Sequence, residues 1–517
     1  MKLIPIYTWN KGVIKFNKRS DRLSKQPWFQ GVLLLVCVIA AMLLANLPFT
    51  RDAYHHVLQT ELALKVGDWT FPRDMSVEKF INDILMVIFF FTVGLEIKRE
   101  IAYGELSSPK KALMPVIAAF GGVLAPALIF TLVNHGTAAA SGWGIPTATD
   151  IAFAVCILSA LGDKGPVSLK GFLTALAIAD DLIAILVVAL FYGGTINLPL
   201  LSLALVVIVM TLVLRRLGEK SMFPYVVMAI GVWVLFYYSG IHATMSGVVM
   251  AFLIPTKPRY NKSQYFHKRD HFIAMIDKYD KMTDEPCFPN GPQKHCLRQL
   301  DKIARGSMDM SYRLEHVLSP WVNFLIMPVF ALANAGVTIP GVEYFNIFAP
   351  TMAGDPSFGH VGLGIFLGLV IGKPLGITLF SWLAIKLKVG EMPAKATWAM
   401  FIAVACLGGI GFTMSIFVDT LSFGAAAGAA GAAGAAGAAG VAGAAGVAGA
   451  AGAAGVAGAA GVAGAAGAAG AAGAASGAAV VAAMRDAGKI AVLMGSICAG
   501  ILGSVLVGVV SKFQKRG

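Results

Sequence analysis

The sequence predicts an all-α polytopic membrane protein with about 12 transmembrane helices, inverted repeats and two interrupted, crossing helices. Three observations support this fold class. Hydrophobic residues make up 57% of the 517 residues and charged residues only 13%, whereas soluble domains carry roughly 25% charged residues. Apolar runs of about 20 residues, the length that crosses a bilayer, recur along the chain. Basic residues gather in alternate connections between these runs.

The distribution of basic residues also predicts the orientation of the chain. The connections that contain Lys98, Arg99, Lys110 and Lys111 and the long stretch 257–313 are basic, whereas those at 135–144 and 192–197 are nearly uncharged. By the positive-inside rule the basic side is cytoplasmic. Both termini then lie in the cytoplasm, which requires an even number of spans. Because the net charge of +13 is explained by this orientation, the sequence argues against nucleic acid as a partner.

Composition divides the chain into six segments. The apolar run that follows the basic N-terminus is long for a signal peptide, so we interpret it as an uncleaved first span. The predicted segments are a cytoplasmic basic N-terminus (1–26), helices 1–8 with an outer loop near 50–76 (27–259), a cytoplasmic basic loop insertion (260–312), helices 9–11 (313–423), a Gly/Ala low-complexity insertion (424–479), and helix 12 with a basic tail (480–517).

The Gly/Ala insertion contains only Gly, Ala and Val between 424 and 475, mostly as Gly-Ala-Ala triplets. Glycine at every third position costs roughly 1 kcal/mol each relative to alanine in a helix. We therefore expect a low-complexity linker rather than extra membrane spans. The alternative is a glycine-striped helix packed on the protein.

Two adjacent carboxylates, Asp180 and Asp181, lie in the middle of the apolar run 174–188. Charged side chains at the centre of a membrane helix are expensive and usually functional, as cation sites or proton relays. Two adjacent acids can exchange protons for a hard cation that prefers oxygen ligands. The alternative interpretation is a buried structural pair, neutralised by protonation or by a partner.

Helix-breaking and polar residues occur at mid-depth in the fourth, tenth and eleventh runs. Pro146 precedes Thr149 and Asp150, Lys373 follows a glycine, and Gly409 and Gly411 interrupt the eleventh run. Interrupted helices at matching places of two repeats are typical of a transporter's binding site. A carboxylate such as Asp150 would offset the positive helix N-termini, and Lys373 would offset the C-termini or pair with one of the two acids.

Eight stretches that recur in order over nearly all of the chain, outside the two insertions, carry a resemblance to a known family. The stretches are Asn82–Glu100, Ile145–Ala154, Ala177–Asp181, Ser239–Thr244, Arg313–His316, Ala331–Val337, Gly372–Gly376 and Gly409–Phe417. Together they resemble the NhaA-type bacterial sodium/proton antiporters. The family's two adjacent aspartates bind sodium and protons in alternation, and they match Asp180 and Asp181. Thr149 and Asp150 match the extended segment of the first broken helix, and Lys373 matches the lysine that pairs with the aspartates.

The resemblance also implies regulation and assembly. A cytoplasmic cluster tied to pH activation matches Glu96, Lys98, Arg99, Glu100, Glu315 and His316, and an outer histidine that influences the pH response matches His242. Where the family often carries a second histidine this chain has Ser319, so its pH profile is expected to differ. A solvated patch of loop charges is the alternative for the cluster. The family fold has 12 helices in two bundles and forms a homodimer, strengthened by a β-hairpin after the first span.

The sequence therefore predicts a transporter, not an enzyme, that exchanges external protons for internal sodium or lithium by alternating access in a bacterial inner membrane. Exchange is expected to be electrogenic, pH-regulated and independent of any cofactor, with membrane lipids, sodium ions and protons as partners. An intramembrane aspartyl protease is the alternative enzyme, but its Gly-x-Gly-Asp signature is absent. A passive channel or a sodium-coupled solute symporter remains the other alternative.

Overall fold

The structure is a computed structural model of the chain. It describes residues 27–62, 64–66, 69–71, 75–104, 106–160, 167–192, 196–219, 221–280, 291–339, 359–393, 396–423 and 459–514. Within the last helix, side chains are described from Val481 onward.

The all-α membrane fold predicted from the sequence is confirmed. Within the described ranges, 10 helices are long and apolar enough to cross a membrane, and a pair bent by 50° raises the number to 11. The apolar helix Thr244–Leu253 has 10 residues, which is too short to cross a bilayer at about 1.5 Å per residue. The count of 12 spans stays a prediction.

The elements follow one another in a simple order. In chain order they are α1 (Pro27–Asn46), α2 (Arg51–Gln59), β1 (Leu64–Val66), β2 (Trp69–Phe71), α3 (Val77–Tyr103), α4 (Pro109–Val133), a 3-10 helix (Ala138–Thr147), α5 (Ile151–Ala160), α6 (Val167–Phe191), α7 (Leu198–Arg216), α8 (Met222–Ser239), α9 (Thr244–Leu253), α10 (Lys262–Asp280), α11 (Gly291–Ser307), α12 (Met310–Asn334), α13 (Val361–Lys386), α14 (Trp398–Leu407), α15 (Phe412–Phe423) and α16 (Ala459–Gln514).

Three segments outside the spans acquire structure. The loop near 50–76 contains α2 and an antiparallel pair of strands, β1 and β2. The basic insertion 260–312 forms α10 and α11. Helix α16 begins at Ala459, so the linker expected over 424–479 is helical in its second part. Alanine has the highest helix propensity, and two alanines in each triplet offset much of the cost of the glycine. Residues 424–458 lie outside the described residues.

The helices form two compact units. The first comprises Met1–Asn82, Glu105–Gly194 and Met327–Gly517, and the second comprises Asp83–Gly104 and Thr195–Ile326. In the first unit, α4 packs along α13. An added Cβ on Gly376 of α13 would lie 2.1 Å from the carbonyl oxygen of Gly121 on α4. Glycine is therefore required at this contact, which brings the two backbones together one turn after Lys373.

In the second unit, α9 packs along α3, and α7 along α8. An added Cβ on Gly247 of α9 would lie 2.4 Å from the carbonyl oxygen of Val87 on α3. Buried apolar side chains of the same unit, among them Leu95, Tyr225 and Ile254, pack against one another. Close apolar packing thus stabilises the second unit, and charged residues of α3 follow this contact along the helix.

Three spanning helices contain a π-helical turn. These turns are Ile81–Leu85 in α3, Val322–Ile326 in α12 and Gly368–Gly372 in α13. A π turn accommodates one residue more than an α-helical turn and frequently marks a functional site. The third of them ends immediately before Lys373, so it sets the direction in which that side chain leaves its helix.

Candidate ion-binding site

The first interrupted helix breaks where the sequence predicts. Pro146 lies in the 3-10 helix Ala138–Thr147, and Ala148 takes an extended conformation with ψ of 148°. Proline has no backbone N–H to donate, which weakens regular helix at this point. Helix resumes at Ile151. Residues 148–150 therefore form an extended link between two half-helices.

The second interruption separates α14 from α15, whose axes are bent by 50°. The break spans residues 408–411. An added Cβ on Gly409 would lie 2.3 Å from the carbonyl oxygen of Leu369, and one on Gly411 would lie 3.0 Å from the carbonyl oxygen of Ala148. Gly409 thus lets the break approach α13, and Gly411 lets it approach the extended link of the first interrupted helix. The backbone N–H of Asp150 donates to the carbonyl oxygen of Ile410 over 2.7 Å.

Asp150 offsets both half-helix N-termini at this crossing. Its Oδ1 accepts from the backbone N–H of Phe153 in α5 over 3.3 Å. Its Oδ2 accepts from the backbone N–H of Thr413 in α15 over 3.2 Å and also from the Thr413 hydroxyl. Free N–H groups make a helix N-terminus partly positive. One buried carboxylate thus satisfies donors on two helices.

The C-terminal ends at the crossing have their own partners. The ammonium group of Lys373 donates to the carbonyl oxygen of Thr147, at the end of the 3-10 helix. The Thr149 hydroxyl lies 3.1 Å from the carbonyl oxygen of Gly408, just after α14. A cation and a hydroxyl therefore face the partly negative helix ends.

Asp180 completes the site from α6. Its Oδ2 lies 2.7 Å from the Lys373 ammonium nitrogen and 2.5 Å from the Thr149 hydroxyl oxygen. All three residues are about 1% exposed. Within the described part of the chain, no group donates to Oδ1 of Asp180, so this oxygen is available to a ligand.

Asp181 follows Asp180 on α6 and is 2% exposed. Adjacent residues on a helix differ by about 100° in direction, and the carboxyl of Asp181 still interacts electrostatically with Lys373. The described residues contain no cluster of three or more His, Cys, Asp and Glu side chains suited to a tightly held metal ion. The site offers carboxylate oxygens beside one lysine, and carboxylate oxygens can bind a cation or a proton.

Comparison with known proteins gives the family. A family model described as Na+/H+ antiporter 1 matches residues 21–455. The chain belongs to this family. The Na(+)/H(+) antiporter NhaA of Oleidesulfovibrio alaskensis is 41% identical over 393 residues, which cover 76% of this chain and 84% of that protein. The protein of the same description from Sulfurimonas denitrificans is 41% identical over 417 residues, covering 80% and 90%. That from Escherichia coli O1:K1 is 40% identical over 396 residues, covering 76% and 87%.

Four of the residues that the family resemblance assigns to pH activation meet in the second unit. Arg99 of α3 forms an ion pair with Glu315 of α12. Its guanidinium group also lies 3.2 Å from a carboxylate oxygen of Glu100 and 3.8 Å from one of Glu96. The Arg99 cluster, consisting of these four residues, is one arginine shared by three carboxylates.

The other three assigned residues lie elsewhere in the same unit. The Lys98 ammonium donates to the backbone carbonyl oxygens of Phe252 and Ile254, at the end of α9. The His316 ring stacks on Tyr312 with ring centroids 5.8 Å apart. His242 lies between α8 and α9, with Nδ1 3.1 Å from the Thr244 hydroxyl oxygen. Lys98 thus caps a helix C-terminus and is not part of the Arg99 cluster.

Burial lowers the pKa of His242 from 6.5 to about 4. Desolvation disfavours the charged imidazolium, so His242 is neutral at physiological pH in this structure. A histidine that titrates near neutrality would need an opposite charge or more solvent around it.

Sequence reasoning missed a further pair of buried charged residues in the first unit. Asp419 of α15 is 0% exposed and Lys489 of α16 is 7% exposed. The signal was available, because Asp419 is a carboxylate inside an apolar run, which is the same observation that identified Asp180 and Asp181.

Proposed function

We propose that this chain exchanges external protons for internal sodium or lithium, with Asp180 and Asp181 as the alternating binding site. The observation that carries the proposal is the buried Asp180 carboxylate, held by Lys373 and Thr149 beside two interrupted helices. Membership of the Na+/H+ antiporter family supports sodium and protons as the ions.

The same carboxylates serve both ions in turn. With the site facing the cytoplasm, the acids release protons and bind the cation through their oxygens. With the site facing outward, protons displace the cation. The change between the two orientations is a shift between conformations that each ion favours differently. Asp150 and Lys373 stabilise the interrupted helix ends throughout, so these ends do not compete for the transported ion.

Two acids that serve one cation favour more protons than sodium ions per cycle. Each cycle then moves net charge inward, and the membrane potential drives sodium out. This electrogenic exchange supports sodium and pH homeostasis of a bacterial cell. We place the protein in the inner membrane, as a homodimer with both termini in the cytoplasm, consistent with the basic connections on that side.

The proposed pH regulation rests on the Arg99 cluster. One arginine shared by Glu96, Glu100 and Glu315 leaves more negative than positive charge, so uptake or loss of a proton changes which carboxylate holds the guanidinium group. Such a rearrangement links α3 to α12 in a pH-dependent way.

Sealed proteoliposomes with an acidic interior and a fluorescent pH probe test the function. Sodium, lithium and then potassium are added across roughly pH 6.5 to 8.5, where histidines and shifted acids titrate. We expect sodium and lithium to dissipate the pH gradient, and Asp181→Asn to reduce the response to background. Asp301→Asn, which removes an exposed carboxylate of α11, is the matched control.

Full activity of Asp181→Asn would show that the site is assigned wrongly. A proton flux that needs an added organic solute would identify a symporter, and a flux unaffected by the choice of cation would identify a channel. Thermal unfolding of each purified variant shows whether a loss of exchange reflects loss of the fold.

A further inference from the structure

A second group of charged side chains lies in the first unit, apart from the residues that hold Asp180. Asp419 of α15 interacts electrostatically with Arg485, Asp486 and Lys489 of α16. Arg485 also forms an ion pair with Glu78 of α3, over 3.0 Å. These five residues are called the Asp419 cluster below.

The Asp419 carboxyl group is enclosed by protein. The residue is 0% exposed, and an added Cβ on Gly488 would lie 2.0 Å from its Oδ1. The carboxyl group is therefore pressed against the backbone of α16, where only glycine leaves it room. Among the residues that the structure describes, none donates a hydrogen bond to either of its oxygens.

Asp150, equally buried and in the same unit, shows how donors can be supplied to a buried carboxyl group. It accepts from the backbone N–H groups of Phe153 and Thr413 and from the Thr413 hydroxyl. Burying a carboxylate without such donors is strongly unfavourable. Because Asp419 lacks these donors in the described part of the chain, its charge requires either a proton or a nearby counter-ion.

The balance of charges in the Asp419 cluster also indicates that one positive charge is missing. Three acids (Glu78, Asp419 and Asp486) face two bases (Arg485 and Lys489), so one further positive charge is needed for balance. His55 of α2 is the remaining titratable group close enough to act on Asp486. The balancing charge is therefore a proton on Asp419, a proton on His55 or a bound monovalent cation.

A bound sodium ion fits the geometry less well than a proton. Sodium, like other hard cations, prefers several oxygen ligands around it. On α15 the hydroxyl groups of Thr420 and Ser422 already donate to backbone carbonyl oxygens of their own helix, and the Ser415 hydroxyl, one turn before Asp419, adds at most one oxygen. A proton needs only one carboxylate oxygen, and Asp419 offers two.

We propose that Asp419 is a second proton-binding carboxyl group of this chain, separate from Asp180 and Asp181, with Lys489 as its counter-ion once the proton leaves. The proton passes to water, the carboxylate remains, and the Lys489 ammonium balances it. Three charged groups of α16, Arg485, Asp486 and Lys489, act on Asp419 directly. Around them, Glu78 of α3 acts on Lys489, His55 of α2 on Asp486, and Tyr54 of α2 interacts with Glu78.

The position of Asp419 links this proton to the proposed exchange. Asp419 follows Thr413 by six residues on α15, which is about 9 Å along the helix axis. Ser415, one turn before Asp419, is buried, and no described group is hydrogen-bonded to its hydroxyl. Ser415 and Asp419 thus share one face of α15, and Ser415 lies between the interrupted helices and Asp419 along the helix axis. This link, but not the proton site itself, rests on the proposed function.

Infrared difference spectroscopy of the purified full-length protein tests the proton site. The C=O stretch of a protonated carboxyl group is compared between acidic and alkaline buffer. The background is the Asp180→Asn/Asp181→Asn protein, so that the test does not depend on exchange. We expect a protonated-carboxyl band that titrates in this background and disappears when Asp419→Asn is added. Asp52→Asn, which removes an exposed carboxylate of α2, should leave the band unchanged.

Three outcomes would overturn the proposal. A band that survives Asp419→Asn belongs to another acid. A band that is absent at every pH shows that Asp419 is ionised, and its charge is then balanced by a cation or by His55. Sodium titration and the His55→Gln variant separate those two cases. If Asp419→Asn does not fold, Lys489→Met replaces it. Removing the counter-ion should change the pH at which the band titrates, and an unshifted titration contradicts the assignment.

Discussion

The helix crossing around Asp180 and the Arg99 cluster both hold acids against a base, but they differ in burial. At the crossing the side chains of Lys373 and Asp180 are 1% and 2% exposed. In the cluster, Arg99 and Glu96 are each 37% exposed. Exposed ion pairs contribute little because water already stabilises the separated charges, whereas breaking a buried pair leaves an uncompensated charge. The comparison separates a buried pair that stabilises the helix crossing from a partly exposed cluster that we propose rearranges with pH.

Lys373→Met should have the largest effect on stability. It leaves Asp180 buried without its counter-ion and removes the donor to the Thr147 carbonyl oxygen, which should lower the free energy of unfolding by about 3–5 kcal/mol. Thermal or denaturant unfolding in detergent measures this. Lys386→Met, at the exposed end of the same helix, is the control. An equal melting temperature for the two variants would contradict the buried pair.

Asp150→Ala should have the next largest effect. It leaves the N–H groups of Phe153 and Thr413 without their acceptor, and unsatisfied buried donors cost about 1–3 kcal/mol each. Asp150→Asn keeps an acceptor oxygen and should lose less. Unfolding measurements compare the free energies of unfolding of the two variants. Equal losses of stability would show that charge, not hydrogen bonding, stabilises the two helix N-termini.

Arg99→Gln should change regulation more than stability. Arg99 is 37% exposed, whereas Glu315 is 11% exposed, so the expected loss is about 1 kcal/mol, less than for the fully buried pair of Lys373 and Asp180. The ion pair that joins α3 to α12 is lost in this variant. The proteoliposome assay across pH then shows a displaced activity profile with nearly unchanged unfolding. A large stability loss with an unmoved profile would make the Arg99 cluster structural.

His242→Gln should have the smallest effect. With the pKa of His242 lowered to about 4, the folded protein does not protonate it between pH 6.5 and 8.5, so the activity profile should not move. The unfolded chain does take up a proton below pH 6.5, so stability falls as the pH drops from 6.5 toward 4. The variant should lose that dependence. A displaced activity profile at neutral pH would show that His242 titrates there.

The sequence predicts the crossing well because its signals are local. Pro146 and the glycines at 409 and 411 interrupt apolar runs, and Asp150, Asp180 and Lys373 are charges that a membrane helix does not tolerate without partners. The sequence did not predict the position of Lys98 outside the Arg99 cluster. Its partners are backbone carbonyl oxygens at the end of α9, which no side-chain motif indicates. Asp419 is also a carboxylate inside an apolar run, as Asp180 is. It was overlooked because it has no neighbouring acid in the sequence.

The π-helical turn before Lys373 bears on how this chain tolerates insertions and deletions. Such a turn is one residue longer than a regular turn. Loss of a single residue from Gly368–Gly372 would restore a continuous α-helix. It would also remove the local shift that the extra residue introduces between the residues before this turn and Lys373 after it. Lys373 would then leave α13 in a different direction relative to the first half of that helix. Relatives that retain the pairing with Asp180 should therefore show the same number of residues across this short stretch, even where neighbouring loops vary freely in length.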